Sequence, residues 1–151
     1  MPRDASVRDP LALDRQVCFA LAAASRSVIG LYRPALEPLG LTHPQYLVML
    51  ALWERSPRSV RDIADALFLD SATLSPLLKR LEAAALVTRA RNPRDERALD
   101  VALTDGGRTL RARRRTRARP PPGRLGVPVS RLEEIRNGLT ELLAASAAAS
   151  A

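Results

Sequence analysis

Cysteine, lysine and histidine each occur once in the 151 residues, as Cys18, Lys79 and His43. A single thiol cannot close a disulfide within its own chain, so any redox role must run through a sulfenic acid or a bond to an outside thiol. One cysteine and one histidine cannot form a metal site within one chain either, and no cofactor is expected. No apolar run approaches the roughly 20 residues that span a bilayer, and the start, Met1-Pro2-Arg3-Asp4, lacks the apolar core of a signal peptide. These absences predict a cytoplasmic protein with no membrane partner, where a free thiol stays reduced until an oxidant arrives.

What is present is arginine. The chain carries 24 Lys and Arg against 16 Asp and Glu, a net charge of +8. With Lys79 the sole lysine, nearly all of that positive charge is guanidinium, which suits phosphates and base edges better than an ammonium does. The balance favours a polyanionic partner. A hydrophobic content of 46% is enough to bury the core of about one domain.

The apolar residues Leu13, Val17, Ala20, Leu21, Ala24, Val28 and Leu31 form a helical stripe from Leu11 to Arg33, which Pro34 is expected to close. After the turn Pro38-Leu39-Gly40, Thr42 and Gln45 have the spacing of a capping box, with Leu41 and Tyr46 placed as a hydrophobic staple. A second helix then runs through Val48, Leu50, Leu52 and Trp53. Ser59 is the expected N-cap of a short helix through Val60, Ile63, Ala64 and Leu67. Asp70 caps the next, which turns Leu74, Leu77, Leu78, Leu81 and Leu86 toward the core. Strand-like segments around Val87 to Arg89 and Leu99 to Leu103 flank a polar tip, Arg91-Asn92-Pro93-Arg94-Asp95-Glu96-Arg97. Thr104 or Asp105 opens a helix with seven arginines between Arg108 and Arg119, read either as a solvated face or as extra grip on flanking phosphates. A last amphipathic helix is expected from Ser130 to about Ala145, with a fraying Ala/Ser tail beyond.

The expected fold is therefore mainly α, a winged helix-turn-helix with N- and C-terminal dimerisation helices. The helix after Asp70 would enter a major groove, where Ser71, Thr73 and Ser75 offer hydroxyls and Lys79 and Arg80 reach a base edge or a phosphate. Pro76 inside it predicts a local kink. Arg91, Arg94 and Arg97 at the hairpin tip have the chemistry of minor-groove readers.

Leu86-Val87-Thr88-Arg89, then Asp95-Glu96-Arg97, then Leu103-Thr104-Asp105-Gly106-Gly107 resemble the wing signature of the MarR family. The resemblance implies that Arg97 enters the minor groove and that Asp95 steadies it. It also implies one MarR-like domain over 1–151, with 11–34 and 105–145 as dimerisation helices and 42–104 as the DNA-binding part. Leu13 through Ser25, Tyr32-Arg33-Pro34, Leu36 through Thr42, Pro44 through Leu50, Leu69 through Leu74 and Pro76 through Glu82 resemble its organic-hydroperoxide-sensing, OhrR-like subgroup. In that subgroup the cysteine at the Cys18 position is the peroxide-reactive thiol and hydrogen-bonds two tyrosines. One maps onto Tyr32; the other maps onto His43, where this chain departs from the pattern. His43 is then either an exposed residue at a helix start or a donor to the thiolate in place of the missing phenol.

Cys18 and Tyr32 are 14 positions apart, about 21 Å along one straight helix, so Tyr32 can serve Cys18 only from a second subunit. A homodimer fits an inverted-repeat operator with two half-sites. The expectation is a cytoplasmic transcriptional repressor of oxidative-stress genes that releases its operator when an organic hydroperoxide oxidises Cys18, with a low-molecular-weight thiol as a further partner. The alternative is a MarR-type repressor released by a small lipophilic or phenolic ligand, in which Cys18 is a small buried hydrophobe. A thiol peroxidase lacks the second thiol needed to resolve its intermediate, so no enzyme is expected.

Overall fold

A computed structural model describes residues 11–12, 16–116 and 125–151. The chain forms two compact units, Met1–Arg117 and Ala118–Ala151, and the second contains one described helix, α7 (Val129–Ala149). The first holds α1 (Val17–Gly30), α2 (Arg33–Leu36), α3 (His43–Glu54), β1 (Arg58–Ser59), α4 (Val60–Leu67), α5 (Ser71–Ala83), β2 (Val87–Asn92), β3 (Asp95–Leu103) and α6 (Asp105–Thr116).

Local chemistry starts each helix of the reading part. At α3 both halves of the capping box form: the Thr42 hydroxyl accepts from the Gln45 N–H at 3.4 Å and the Gln45 side chain accepts from the Thr42 N–H at 3.0 Å. Pro44 falls in the first turn, where its missing N–H has no partner to lose. Ser59 caps α4 by accepting from the Asp62 N–H at 3.0 Å, and Asp70 caps α5 by accepting from the Thr73 N–H at 2.6 Å. Phe68, in the left-handed region at φ 56°, ends α4 and turns the chain into α5. α5 continues through Pro76 to Ala83.

The core lies where α3, α4, α5 and the sheet meet. Leu36, Met49, Leu52, Ile63, Leu74, Leu78, Leu81, Val87 and Val101 are all under 2% exposed, each contributing about 1.5–3 kcal/mol by burial. The sheet is antiparallel in the order β1-β3-β2, with Val87 opposite Leu103 and Arg58 opposite Val101. α6 closes over it: the Trp53 indole N–H donates to the Gly107 carbonyl at 2.9 Å.

Four expectations change. The first helix is shorter than the stripe Leu11 to Arg33, because Gly30 ends α1 and Arg33-Pro34 begins α2 instead of stopping a helix. The wing strands run to Asn92 and from Asp95, so the expected polar tip is shorter: Arg91 pairs with Leu99, Asn92 pairs with Asp95, and only Pro93 and Arg94 make the turn. Backbone pairing is indifferent to polar side chains once the register is set, and a shift between Arg91 and Asn92 absorbs the mismatch. β1 was not foreseen, being 2 residues long. The last helix reaches Ala149, since alanine holds a helix without packing. The end of the arginine run, Arg117 and Arg119, and the following prolines lie outside the described residues.

Gly107 is where backbones come closest. A Cβ there would collide with the Leu86 carbonyl oxygen and stand 3.0 Å from Leu103 Cδ2, whereas one at Gly138 in α7 would meet nothing within 4 Å. Gly107→Ala should lower unfolding stability by about 1–3 kcal/mol, and Gly138→Ala should raise it by about 0.5–1 kcal/mol, both read from denaturant midpoints. Equal stability of Gly107→Ala and wild type would remove this close approach as a constraint.

Candidate DNA-reading surface and thiol site

The reading surface begins with α5. Ser71, Thr73, Lys79 and Arg80 are exposed along it and Ser75 is half-buried, on the side opposite the buried Leu74, Leu78 and Leu81. Glu82 accepts from the Arg89 guanidinium at 3.0 and 3.5 Å, tying the end of α5 to the wing. That partner holds the Glu82 carboxyl below the usual carboxylate range. At the α4 end, Asp62 accepts from Arg58 Nε at 2.7 Å and from Arg55 at 2.6 Å, while Arg58 also donates to the Ala51 carbonyl at 3.0 Å. The helix pair is thereby fastened to the end of α3.

On the wing Arg91, Arg94, Asp95 and Arg97 are all exposed. The Asn92 side chain accepts from the Arg94 N–H at 2.8 Å and donates to Asp100 at 3.0 Å, which shapes the turn. Asp95 accepts from the backbone N–H of Arg97 at 3.1 Å. The carboxylate thus sets the Arg97 backbone, and its bond to that residue runs through the main chain and not through the guanidinium.

The thiol site is split along α1. Cys18 is exposed at one end, on a helix with no buried residue whose Val17, Phe19, Leu21 and Ile29 stand in the open. Within this chain Cys18 is therefore not the small buried hydrophobe of the alternative reading. Tyr32 lies just past the other end and joins a ring cluster: His43 packs edge-on against it at 5.1 Å between centroids, Tyr46 lies 6.1 Å away, and Trp53 lies 6.1 Å beyond Tyr46. The structure brings Tyr32 and His43 together, and it leaves Cys18 at the far end of α1. His43 is half-buried, not an exposed helix-start residue.

Burial raises the Tyr32 phenol, the nearby Tyr46 adds to the rise, and Arg114 opposes it. Burial lowers the His43 imidazole below its ordinary value of 6.5. At pH 7 the ring is neutral: it can donate one hydrogen bond, but it brings no charge to a thiolate.

Arg114 was hidden in the arginine run. Arg108, Arg111, Arg113 and Arg115 are exposed as a solvated face would be, yet Arg114 is 7% exposed, with its guanidinium carbon 5.3 Å from the Tyr46 ring centroid. The signal was there: Gly107, Leu110 and Arg114 recur at 3 and 4 residues, so Arg114 shares the face on which the first two are buried.

A capped helix, a tight turn, a second capped helix with exposed polar residues and a two-stranded wing define a winged helix-turn-helix, a fold of transcriptional regulators. Residues 39–98 match the profile of the MarR family. The chain is 52% identical over 105 residues to the HTH-type transcriptional regulator TtmR of Methylorubrum extorquens, covering 70% of this chain and 54% of that protein. It is 44% identical over 103 residues to the organic hydroperoxide resistance transcriptional regulator of Bacillus subtilis, covering 68% of this chain and 70% of that one. The structure of reduced AbfR bound to DNA, a protein of Staphylococcus epidermidis, superposes with a TM-score of 0.73 at 34% identity, covering 87% of this chain and 91% of that one. The chain belongs to the MarR family of transcriptional regulators and resembles its organic-hydroperoxide branch. It is a regulator by family and fold, not an enzyme.

His43 is the only histidine, so its imidazole can be followed alone by proton NMR. It should titrate below 6.5, and since the unfolded chain binds that proton more tightly, its contribution to stability should weaken as pH falls below that value. A midpoint at or above 6.5 would contradict the neutral ring.

Proposed function

We propose that the protein is a homodimeric repressor that binds an inverted-repeat operator when reduced and releases it when an organic hydroperoxide oxidises Cys18. The observation that carries this is the division of the site along α1. From Cys18 to Gly30 the helix rises about 18 Å, and Tyr32 and His43 lie beyond that end. Only a second copy can bring a Tyr32–His43 pair to Cys18. The open apolar side chains of α1 support such a pairing, since a helix that buries nothing in its own chain is covered favourably by another. Similarity to the Bacillus regulator supports the class of oxidant.

In the proposed step the Cys18 thiolate attacks the O–O bond. Sulfur takes the terminal oxygen and is oxidised by two electrons to the sulfenic acid, and the other oxygen leaves as an alcohol after taking a proton. The Tyr32 phenol and the neutral His43 ring are the donors available to the thiolate. A low-molecular-weight thiol can then form a mixed disulfide with release of water. Either product puts a polar or bulky group into an interface containing Phe19, and the spacing of the two reading heads changes.

On DNA, Ser71, Thr73, Ser75, Lys79 and Arg80 face the major groove and its phosphates, while Arg91, Arg94 and Arg97 take the minor groove, with Asp95 fixing the Arg97 backbone.

Two measurements check this. Cumene hydroperoxide should abolish operator binding by wild type and leave Cys18→Ser bound; a serine variant that still lets go removes Cys18 as the sensor. Arg97→Ala should weaken binding to a palindromic duplex and reduce the salt slope by about 1 for each subunit, about 2 for the dimer, and an unchanged slope takes the wing out of the mechanism.

A further inference from the structure

Phe68 carries two costs at once. Its backbone sits in the left-handed region at φ 56°, where glycine or asparagine is the usual occupant and an aromatic residue a rare one. It is also 70% exposed, whereas Leu50 and Leu99, the other exposed large apolar residues in the stretch from α3 to α6, are 41% and 43% exposed. A lone exposed aromatic needs no explanation, and neither does a left-handed residue at a helix end. Both at one position do, because a glycine there removes the two costs together.

The backbone sets this conformation, not the ring. The Phe68 N–H donates to the Ala64 and Asp65 carbonyls, and the Leu69 N–H donates to the Ala64 carbonyl at 2.9 Å, the paired bonds that close a helix on a left-handed residue. Apolar packing at the turn falls to its neighbours: Leu67 lies against the core and Leu69 is half-buried. Phe68 stands between α4 and α5, two residues before the Asp70 cap and three before Ser71, where α5 begins. That is the end of a reading helix that lies nearest the bases. The closest charged residues in sequence, Asp65 and Asp70, are acidic and exposed, so this spot does not attract a phosphate. What a phenyl ring can cover on DNA is carbon, either the 5-methyl group of thymine or the deoxyribose beside it.

We propose that Phe68 is an apolar DNA contact of the reading head, its ring covered by thymine methyl or deoxyribose carbon when α5 enters the major groove. The ring leaves water only in the bound state, which is where the strained backbone position is put to use. This rests on the docking of α5 given above and does not involve Cys18.

The test uses the reduced full chain and an inverted-repeat duplex that the wild type selects from random sequence. Phe68→Gly and Phe68→Asn, both at ease with a positive φ, should keep or raise the denaturant midpoint of unfolding. They should lower duplex affinity about tenfold, as expected for losing one partly covered ring from each subunit. The salt slope should stay as in wild type, because no phosphate contact is removed. Phe68→Leu, apolar and smaller, should fall between. Replacing thymine by uracil throughout the duplex identifies the atom covered: a methyl partner makes the wild type lose more affinity than Phe68→Gly, and a deoxyribose partner makes the two lose equally. Lys79→Ala should lower the salt slope by about 1 for each subunit and reports on the docking of α5 alone. Wild-type affinity in Phe68→Gly and Phe68→Asn, a reduced salt slope in either, or an unfolding midpoint that falls with affinity would overturn the Phe68 contact. If Lys79→Ala also binds as wild type does, the docking of α5 falls with it.

Discussion

The bond from the Trp53 indole to the Gly107 carbonyl, 2.9 Å long and buried, holds the first unit closed. It joins the end of α3 to the start of α6, residues 54 apart in the chain, at the same glycine whose missing Cβ lets the α6 backbone lie against the Leu86 carbonyl. Three neighbouring features rely on that closure. Thr104 donates its hydroxyl proton to the Ala85 carbonyl at 2.6 Å and accepts from the Gly107 N–H at 3.0 Å, so the turn after α5 is fixed to the same spot. Leu110 enters the core one turn along α6. One further turn brings Arg114 over Tyr46.

Most of the reading part was legible because its determinants are local. A side-chain oxygen three residues before an N–H makes a cap whatever the rest of the chain does, and Thr42, Ser59 and Asp70 all cap as their spacing implies. The leucines of α5 follow from helical period alone. The wing was harder, because strand length depends on a partner strand: Arg91 and Asn92 carry no strand signal, yet their backbones are paired with Leu99 and Asp95. Arg114 was harder still. A guanidinium amid other arginines reads as surface, and what drew it inside is the face it shares with Gly107 and Leu110, together with a Tyr46 ring supplied by another helix.

For the proposed thiol site the structure adds form to what resemblance implied. Resemblance implied Cys18, Tyr32 and His43, and the helical rise sets the first two apart within one chain. The sequence could not state the charge of His43. Its place at a helix start already disfavours a cation, and its half-buried position against Tyr32 lowers the imidazole further. A positive charge near Tyr32 comes instead from Arg114, which opposes the rise of the Tyr32 phenol.

The same arrangement gives a continuous packed path from the Tyr32–His43 contact to the reading end. Tyr32 and His43 meet at the start of α3, whereas Trp53 lies near its end and Ala51 accepts from Arg58 there. The 12 residues of α3 form a rod about 18 Å long. Its flanks are buried by Val48, Met49 and Leu52, so the rod resists bending. At its far end Arg55 and Arg58 converge on Asp62, which lies in the first turn of α4 and whose N–H is also held by the Ser59 cap. In the proposed mechanism a displacement at the Tyr32–His43 contact would reach α4 by this rod, and the packed α4–α5 pair would carry it to the exposed face of α5. A side chain on a loose surface loop would dissipate the same displacement. In that mechanism rigidity between the two ends, more than any single contact, is what would let a change at one small ring cluster move a reading helix.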